Sequence, residues 1–314
     1  MPQNNELTQA SLSILLGSAV GDALGVPVEF LPRDSFSVSD MQEREGAPYP
    51  VGTWSDDTSL TLALVDNLNS DVFDLRPVAD AFVAWLDQAR YTPHGVTFGI
   101  GNSTQQSIRR IRAGVALDKV GGKTERDNGN GSLMRIAPLS VYLAKVQNVG
   151  KRFEIVKAVS SLTHAHDWSV AACFIYIEML RKLLHGQDKL SAYRDIQNDI
   201  TAATELISPE TLAKYERVLT GDIRQLSRDE ISSTGFVVHT LEAAFWCFLT
   251  TDDYRSAVLT AVNLGLDADT VAAVTGAMAG LYYGSEAIPE DWLTKLVKRN
   301  DIEAVARKLK PLSV

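Results

Sequence analysis

Two short acidic clusters, Ser55-Asp56-Asp57-Thr58 and Asp267-Ala268-Asp269-Thr270, each set a pair of carboxylates beside a hydroxyl where a loop gives way to a helical pattern. Carboxylate and hydroxyl oxygens are hard ligands suited to magnesium or manganese, whereas zinc would favour histidine and cysteine. Together with Glu29, the acids Asp56, Asp57, Asp267 and Asp269 would gather charges that repel one another unless cations sit among them. A pair of divalent ions, Mg2+ or Mn2+, would bring such a cluster near neutral, and the chemistry expected of it is metal-dependent hydrolysis. For either cluster alone, helix capping is a sufficient explanation, since Asp and Ser are favoured at helix N-termini. Two clusters of the same content move the balance toward metal.

A second candidate is the loop Asp127-Asn128-Gly129-Asn130-Gly131-Ser132, followed by the helical pattern from Leu133. Glycines let backbone amides approach an anion, and a following helix adds a favourable dipole, so the loop suits a phosphate. A plain turn before a helix explains it equally well. The nearby Gly121-Gly122-Lys123-Thr124 imitates the end of a P-loop, but the position that requires the first glycine is Leu117 and no strand pattern precedes it. Thr163-His164-Ala165-His166-Asp167 lacks zinc spacing and a nearby thiolate, so its histidines are expected to touch ligand or cap a helix. Tyr282 and Tyr283 end the helical pattern that begins at the second acidic cluster.

The elements that must position these residues read as helices almost throughout. Apolar residues recur at helical spacing over 7–24, after Asp57, and over 76–89, 103–113, 134–147, 151–162, 168–185, 209–219, 236–249, 253–264 and 269–283. Ser55 is a plausible N-cap, and Gly25 and Pro27 should stop the first helix. Few segments alternate with β-branched enrichment, so an all-α fold is expected, as one domain over 1–314. Ala272, Gly276 and Gly280 fall four apart and make a narrow ridge for close helix packing. Long loops are expected over 31–54 and 114–133.

At 314 residues, 45% hydrophobic and with net charge -9, the chain can bury a sizeable core and lacks the basic footprint of broad nucleic-acid or anionic-membrane binding. Cys173 and Cys247 lie in apolar helical stretches and are expected to be buried and reduced. The N-terminal apolar stretch is interrupted by Gly17, Gly21, Asp22 and Gly25, so no signal peptide or membrane span is expected, and the location expected is cytoplasmic. A monomer is expected.

Taken together, Gly21-Asp22-Ala23-Leu24-Gly25 with Glu29, Gly52-Thr53-Trp54-Ser55-Asp56-Asp57-Thr58, Gly129-Asn130-Gly131-Ser132-Leu133-Met134-Arg135, Leu162-Thr163-His164 and Leu266-Asp267-Ala268-Asp269-Thr270 resemble the ADP-ribosylglycohydrolase family. The pieces run in the family's order over about 15–285. The resemblance implies a single orthogonal all-α domain whose central cleft holds a binuclear magnesium or manganese site. It implies Ser55, Asp56, Asp57, Asp267, Asp269 and Thr270 as metal ligands. Asn128, Gly129, Asn130, Gly131, Ser132 and His164 would bind ADP-ribose, the loop taking the diphosphate. Glu29 is the first choice for general acid or base and Asp127 the second. The expected reaction is cleavage of the glycosidic bond between ADP-ribose and a modified target, with arginine linkage preferred by analogy. The substrate is then an ADP-ribosylated protein or a small-molecule ADP-ribose conjugate. The alternatives are an inactive ADP-ribose-binding or structural relative, or a hydrolase of a serine, O-acetyl, nucleic-acid-base or phosphoester linkage.

Overall fold

The first apolar pattern folds as α1, Asn4–Gly25, in a computed structural model that describes residues 3–43, 46 and 49–313. Gly17, Gly21 and Asp22, expected to interrupt this stretch, lie within an unbroken helix. The segment Asn4–Val28 is the one described helix long and apolar enough to cross a membrane, with hydropathy 1.5, but 94% of that window is buried inside the protein. After α1 follow α2 Asp56–Val65, α3 Arg76–Gln88, α4 Asn102–Arg112, α5 Leu133–Ile136, α6 Leu139–Tyr142, α7 Val149–Ser161 and α8 Asp167–Leu184. The second half contributes α9 Lys189–Ala202, α10 Pro209–Ala213, α11 Glu216–Leu219, α12 Val237–Leu249, α13 Tyr254–Val262, α14 Ala268–Tyr283, α15 Glu290–Lys295 and α16 Arg299–Ala306. The described residues contain no strand, only isolated bridges at Gly122–His164 and Gly129–Phe236, so the fold is all-α.

Two expected helices are each split. The pattern over 134–147 becomes α5 and α6 because Pro138 lacks an N–H and its ring crowds the carbonyl four residues back. The pattern over 209–219 becomes α10 and α11, with Tyr215 at the break wholly buried. Helices α9, α15 and α16 fall outside the expected set; α9 is polar enough to hide its period, and Asp188 caps it by accepting from Leu190 and Ser191 N–H. In the expected loop 31–54, Arg44, Glu45, Ala47 and Pro48 lie outside the described residues. The loop over 114–133 carries two short 3-10 turns, Leu117–Lys119 and Glu125–Asp127.

The small-residue ridge of α14 finds its partner in α1. A Cβ on Gly21 would lie 2.1 Å from the Ala272 carbonyl oxygen, one on Gly17 2.3 Å from that of Gly276, and one on Gly280 2.3 Å from that of Ser13. The two backbones therefore touch, with glycine spacing matched on both helices. At the end of this seam, Gly25 approaches the Asp269 Cα so closely that a Cβ would come within 2.2 Å. The contact fixes the start of α14 against the end of α1, and with it the Asp267 cluster against Glu29, which follows the 3-10 turn Val26–Val28. A hydrophobic core running from Leu7 to Leu312 backs this arrangement.

Candidate active site

Helix α2 starts where Asp22 tells it to. The wholly buried Asp22 carboxylate accepts from Ser55 N–H at 2.9 Å, Thr58 N–H at 3.0 Å and the Thr58 hydroxyl at 2.6 Å. It thereby satisfies N–H groups that a helix N-terminus leaves without partners. Burial pushes its pKa up to about 6 even against those hydrogen bonds. Ser55 is the N-cap, accepting from Asp57 N–H at 3.2 Å.

Asp57 joins the two acidic clusters. Its Oδ2 accepts from the Ser55 hydroxyl at 3.1 Å and from the Thr270 hydroxyl at 3.3 Å, while its Oδ1 is buried with no protein partner. A buried charged oxygen without a partner is costly, so this atom calls for a cation or a proton. Glu29, Asp267 and Asp269 offer carboxylate oxygens that all lie within 4.8 Å of one another. Burial, and then repulsion from neighbouring acids, holds Asp56, Asp57 and Asp269 well above the ordinary carboxylate range. Burial also raises Asp267, which accepts from Asn130 Nδ2 at 2.6 Å. An all-oxygen donor set, crowded acids and an orphaned buried oxygen fit hard divalent cations.

These acids line a cleft of about 290 Å³. Gly129 and Gly131 line it, together with His164, the exposed Arg126 and the N-terminus of α4 at Asn102, Ser103 and Thr104. His164 is kept neutral by burial and by the nearby Arg135 guanidinium, with its pKa pushed down to about 3. The cleft thus gathers carboxylates together with the glycine-loop backbone, a cation and a helix N-terminus. Larger depressions elsewhere, such as the one of about 520 Å³ between Glu6 and His185, gather no comparable donor set.

The structure brings Glu29, Asp56, Asp57, Gly129, Asn130, Gly131, His164, Asp267, Asp269 and Thr270 to this cleft. Other expected site residues do not line it. Asn128 is buried, its Oδ1 accepting from the Ser169 hydroxyl at 3.0 Å. Ser132 is enclosed between the Ser160 hydroxyl and the Cys173 thiol. The loop therefore faces the cleft through its middle, and its two flanks are structural. Asp127 is raised by burial but lowered overall by hydrogen bonds from Thr124, and it also accepts from Ser103 at 3.2 Å. Its carboxylate is occupied with closing a turn. Ser55 reaches the cleft only through Asp57.

Other residues were not among the expected candidates. Asp22 could have been suspected as an acid on an apolar helical stretch, but Arg126 and the start of α4 carried no signal. Phe30, 69% exposed, lines the cleft with φ 65°, its N–H donating to the Leu266 carbonyl at 2.6 Å. Leu266 itself has φ 58° and donates to the Leu31 carbonyl at 2.8 Å, so the residues following Glu29 and preceding Asp267 are clamped together. His166 caps α8. The Gly121-Gly122 pair is explained by packing, since a Cβ at Gly121 would strike the Ser161 carbonyl oxygen at 2.2 Å. Tyr282 and Tyr283 pack on each other and on Phe248 at the far end of α14 and do not line the cleft.

The family profile described as ADP-ribosylglycohydrolase matches residues 3–313. The chain is 34% identical to the ADP-ribosylarginine hydrolase Tri1 of Serratia proteamaculans, over 98% of this chain and 81% of that protein. It is 29% identical to the ADP-ribosyl-[dinitrogen reductase] glycohydrolase of Rhodospirillum rubrum, over 91% and 90% of the two chains. A solved structure described as an ADP-ribosylglycohydrolase-related protein complex superposes with a TM-score of 0.79 at 31% identity, covering 97% of this chain and 98% of the other.

Proposed function

Because this chain belongs to the ADP-ribosylglycohydrolase family and is thereby an ADP-ribosyl hydrolase, we propose that it is metal-dependent and releases ADP-ribose from ADP-ribosylated arginine in proteins. The observation that carries the reading is a cleft lined both by carboxylates and by phosphate-type donors, with Asp57 Oδ1 left without a protein partner among the acids. A substrate that joins a diphosphate to a ribose bond with a cationic group suits such a mixed lining. The arginine linkage draws its support from the relative that is named for it.

In this reading Asp56, Asp57, Asp267, Asp269 and Thr270 hold the divalent cations, and Ser55 braces Asp57. When bound, the cations supply charge neutralisation and make water more acidic. The Gly129–Gly131 backbone, Arg126 and the neutral His164 bind the diphosphate. Cleavage of the ribose C1–N bond develops positive charge on the sugar, which the carboxylates of the cleft stabilise. Glu29, half-buried beside Asp267 and Asp269, moves the proton between water and the leaving guanidine. Asp127 acts at one remove, holding the turn before Gly129.

The test is release of free ADP-ribose from arginine-ADP-ribosylated protein, with magnesium or manganese and with EDTA. Metal-dependent ADP-ribose release supports the proposal. AMP as product would instead mean diphosphate cleavage, and release from serine-linked substrate alone would replace the linkage.

A further inference from the structure

Arg135 is a wholly buried cation whose two terminal nitrogens bridge two segments of the site, with its Nε left without a partner. One guanidinium nitrogen donates to the Gly131 carbonyl, and another donates to the Thr163 hydroxyl at 2.8 Å and to the Val159 carbonyl at 3.4 Å. The guanidinium lies over the Phe82 ring at 4.9 Å. It thus ties the glycine loop to the segment that carries His164. The Thr163 hydroxyl in turn lies 2.8 Å from His164 Nδ1.

The direction of that last bond follows from counting protons. A hydroxyl has one hydrogen and two lone pairs. Arg135 has only donors, so it occupies a lone pair of Thr163 Oγ1. If Nδ1–H also donated to Oγ1, both lone pairs would be filled and the hydroxyl hydrogen would have no acceptor among its bonded neighbours, in a side chain with no solvent exposure. The satisfied arrangement has Thr163 donating to Nδ1. The proton of the neutral imidazole then sits on Nε2.

We propose that Arg135 and Thr163 are positioning residues that lock His164 as the Nε2–H tautomer, giving the cleft a fixed neutral donor for an anionic oxygen of the substrate. The ring is held from behind as well. His164 N–H donates to the Ser160 carbonyl at 2.8 Å, and the Ser160 hydroxyl donates to the His164 carbonyl at 2.9 Å. A Cβ at Gly129 would lie 3.4 Å from Nε2, and one at Gly131 2.9 Å from the ring Cε1, so this nitrogen borders the glycine loop. Burial and Arg135 keep the ring neutral. A neutral N–H donor next to backbone amides serves a phosphate oxygen, and that choice of ligand rests on the ADP-ribose reading above.

The tautomer is read directly from long-range 1H–15N correlation spectra of the ligand-free protein at neutral pH, with the His164 resonance assigned by His164→Gln. The expected result is Nε2–H in the wild type and in Thr163→Ser, and loss of that fixed tautomer in Thr163→Val. Calorimetry with free ADP-ribose should show binding weakened by roughly tenfold in Thr163→Val and restored in Thr163→Ser, as for loss of one well-made hydrogen bond to a charged group. Because the diphosphate is remote from the bond that breaks, KM should rise with kcat nearly unchanged. Nδ1–H in the wild type, or Thr163→Val binding ADP-ribose as tightly as wild type, would overturn the proposal. Failure of the wild type to bind ADP-ribose would overturn the function proposed above and the ligand named here, while the tautomer still decides the lock.

Discussion

The Thr270 hydroxyl donates to Asp57 Oδ2 at 3.3 Å across 213 residues of chain. This bond makes the N-termini of α2 and α14 one site, and leaves Asp57 Oδ1 as the oxygen without a protein partner. Asp57→Ala should abolish ADP-ribose release while changing stability in EDTA little, because it removes a buried charge from a repelling cluster. Thr270→Val keeps shape and loses the donor, so manganese affinity should fall by roughly ten- to a hundredfold. Titration calorimetry checks the second and product release the first; full turnover by Asp57→Ala would remove Asp57 from the site.

Metal and pH should act on stability together. Asp22, Asp56, Asp57 and Asp269 have folded-state pKa values above the usual carboxylate range, with burial the leading cause and Asp22 at about 6. A raised folded pKa contributes stability that is complete below the unfolded value and is lost as pH rises through the folded one. His164 works the other way, because with its pKa at about 3 it favours the folded state fully only above the ordinary histidine value, near 6.5. Above about pH 6.5 the histidine contribution is complete, and only the carboxylates still act. Tm in EDTA should therefore not rise with pH above that point, and the gain from saturating magnesium should grow with pH as bound cation replaces protons. A magnesium gain that is flat or shrinking with pH would count against the acidic cluster as its origin.

The seam between α1 and α14 should tolerate no added carbon. Gly21→Ala would place a Cβ 2.1 Å from the Ala272 carbonyl oxygen, with backbone on both sides and no flexible side chain to yield. Overpacking of this kind costs about 1–3 kcal/mol or more. The shift would also move Asp22, the next residue, and through it the start of α2, so activity should fall further than stability alone explains. Gly101→Ala, at a glycine with nothing within 4 Å of an added Cβ and an ordinary φ of −72°, is the control for stability. Chemical denaturation of both variants decides the matter, and a Gly21→Ala protein as stable as wild type would mean the helices can part.

Much of this seam was legible beforehand, and the reason is local. The spacing of Ala272, Gly276 and Gly280 announces a ridge within one helix, but nothing local says that Gly17 and Gly21 are its counterpart. The acidic clusters were legible because capping chemistry and ligand chemistry use the same residues at the same place. The orientation of Asn128 and Ser132 was not, since it depends on Ser169, Ser160 and Cys173, which belong to later helices. Asp127 shows the same limit, as its carboxylate is taken by Thr124 and Ser103. The break at Pro138 was visible in the residue itself, yet the apolar period runs through it.

Phe30 carries a conformational cost that its position at the cleft explains. A bulky residue at φ 65° costs about 1–2 kcal/mol relative to glycine, and such strain persists where surrounding structure enforces it. Here the Leu266 carbonyl enforces it, holding a largely exposed ring beside Glu29 at the mouth. Phe30→Gly should leave Tm unchanged or higher, since relief of strain offsets the loss of a ring with little buried area. An exposed ring in the lining of the cleft is placed to stack on a guanidinium entering it, so kcat/KM on ADP-ribosylated protein should fall by roughly tenfold. Affinity for free ADP-ribose should stay near that of wild type. Equal losses with protein substrate and free ADP-ribose would place Phe30 against the nucleotide instead, and unchanged kcat/KM would leave the strain without a functional reason.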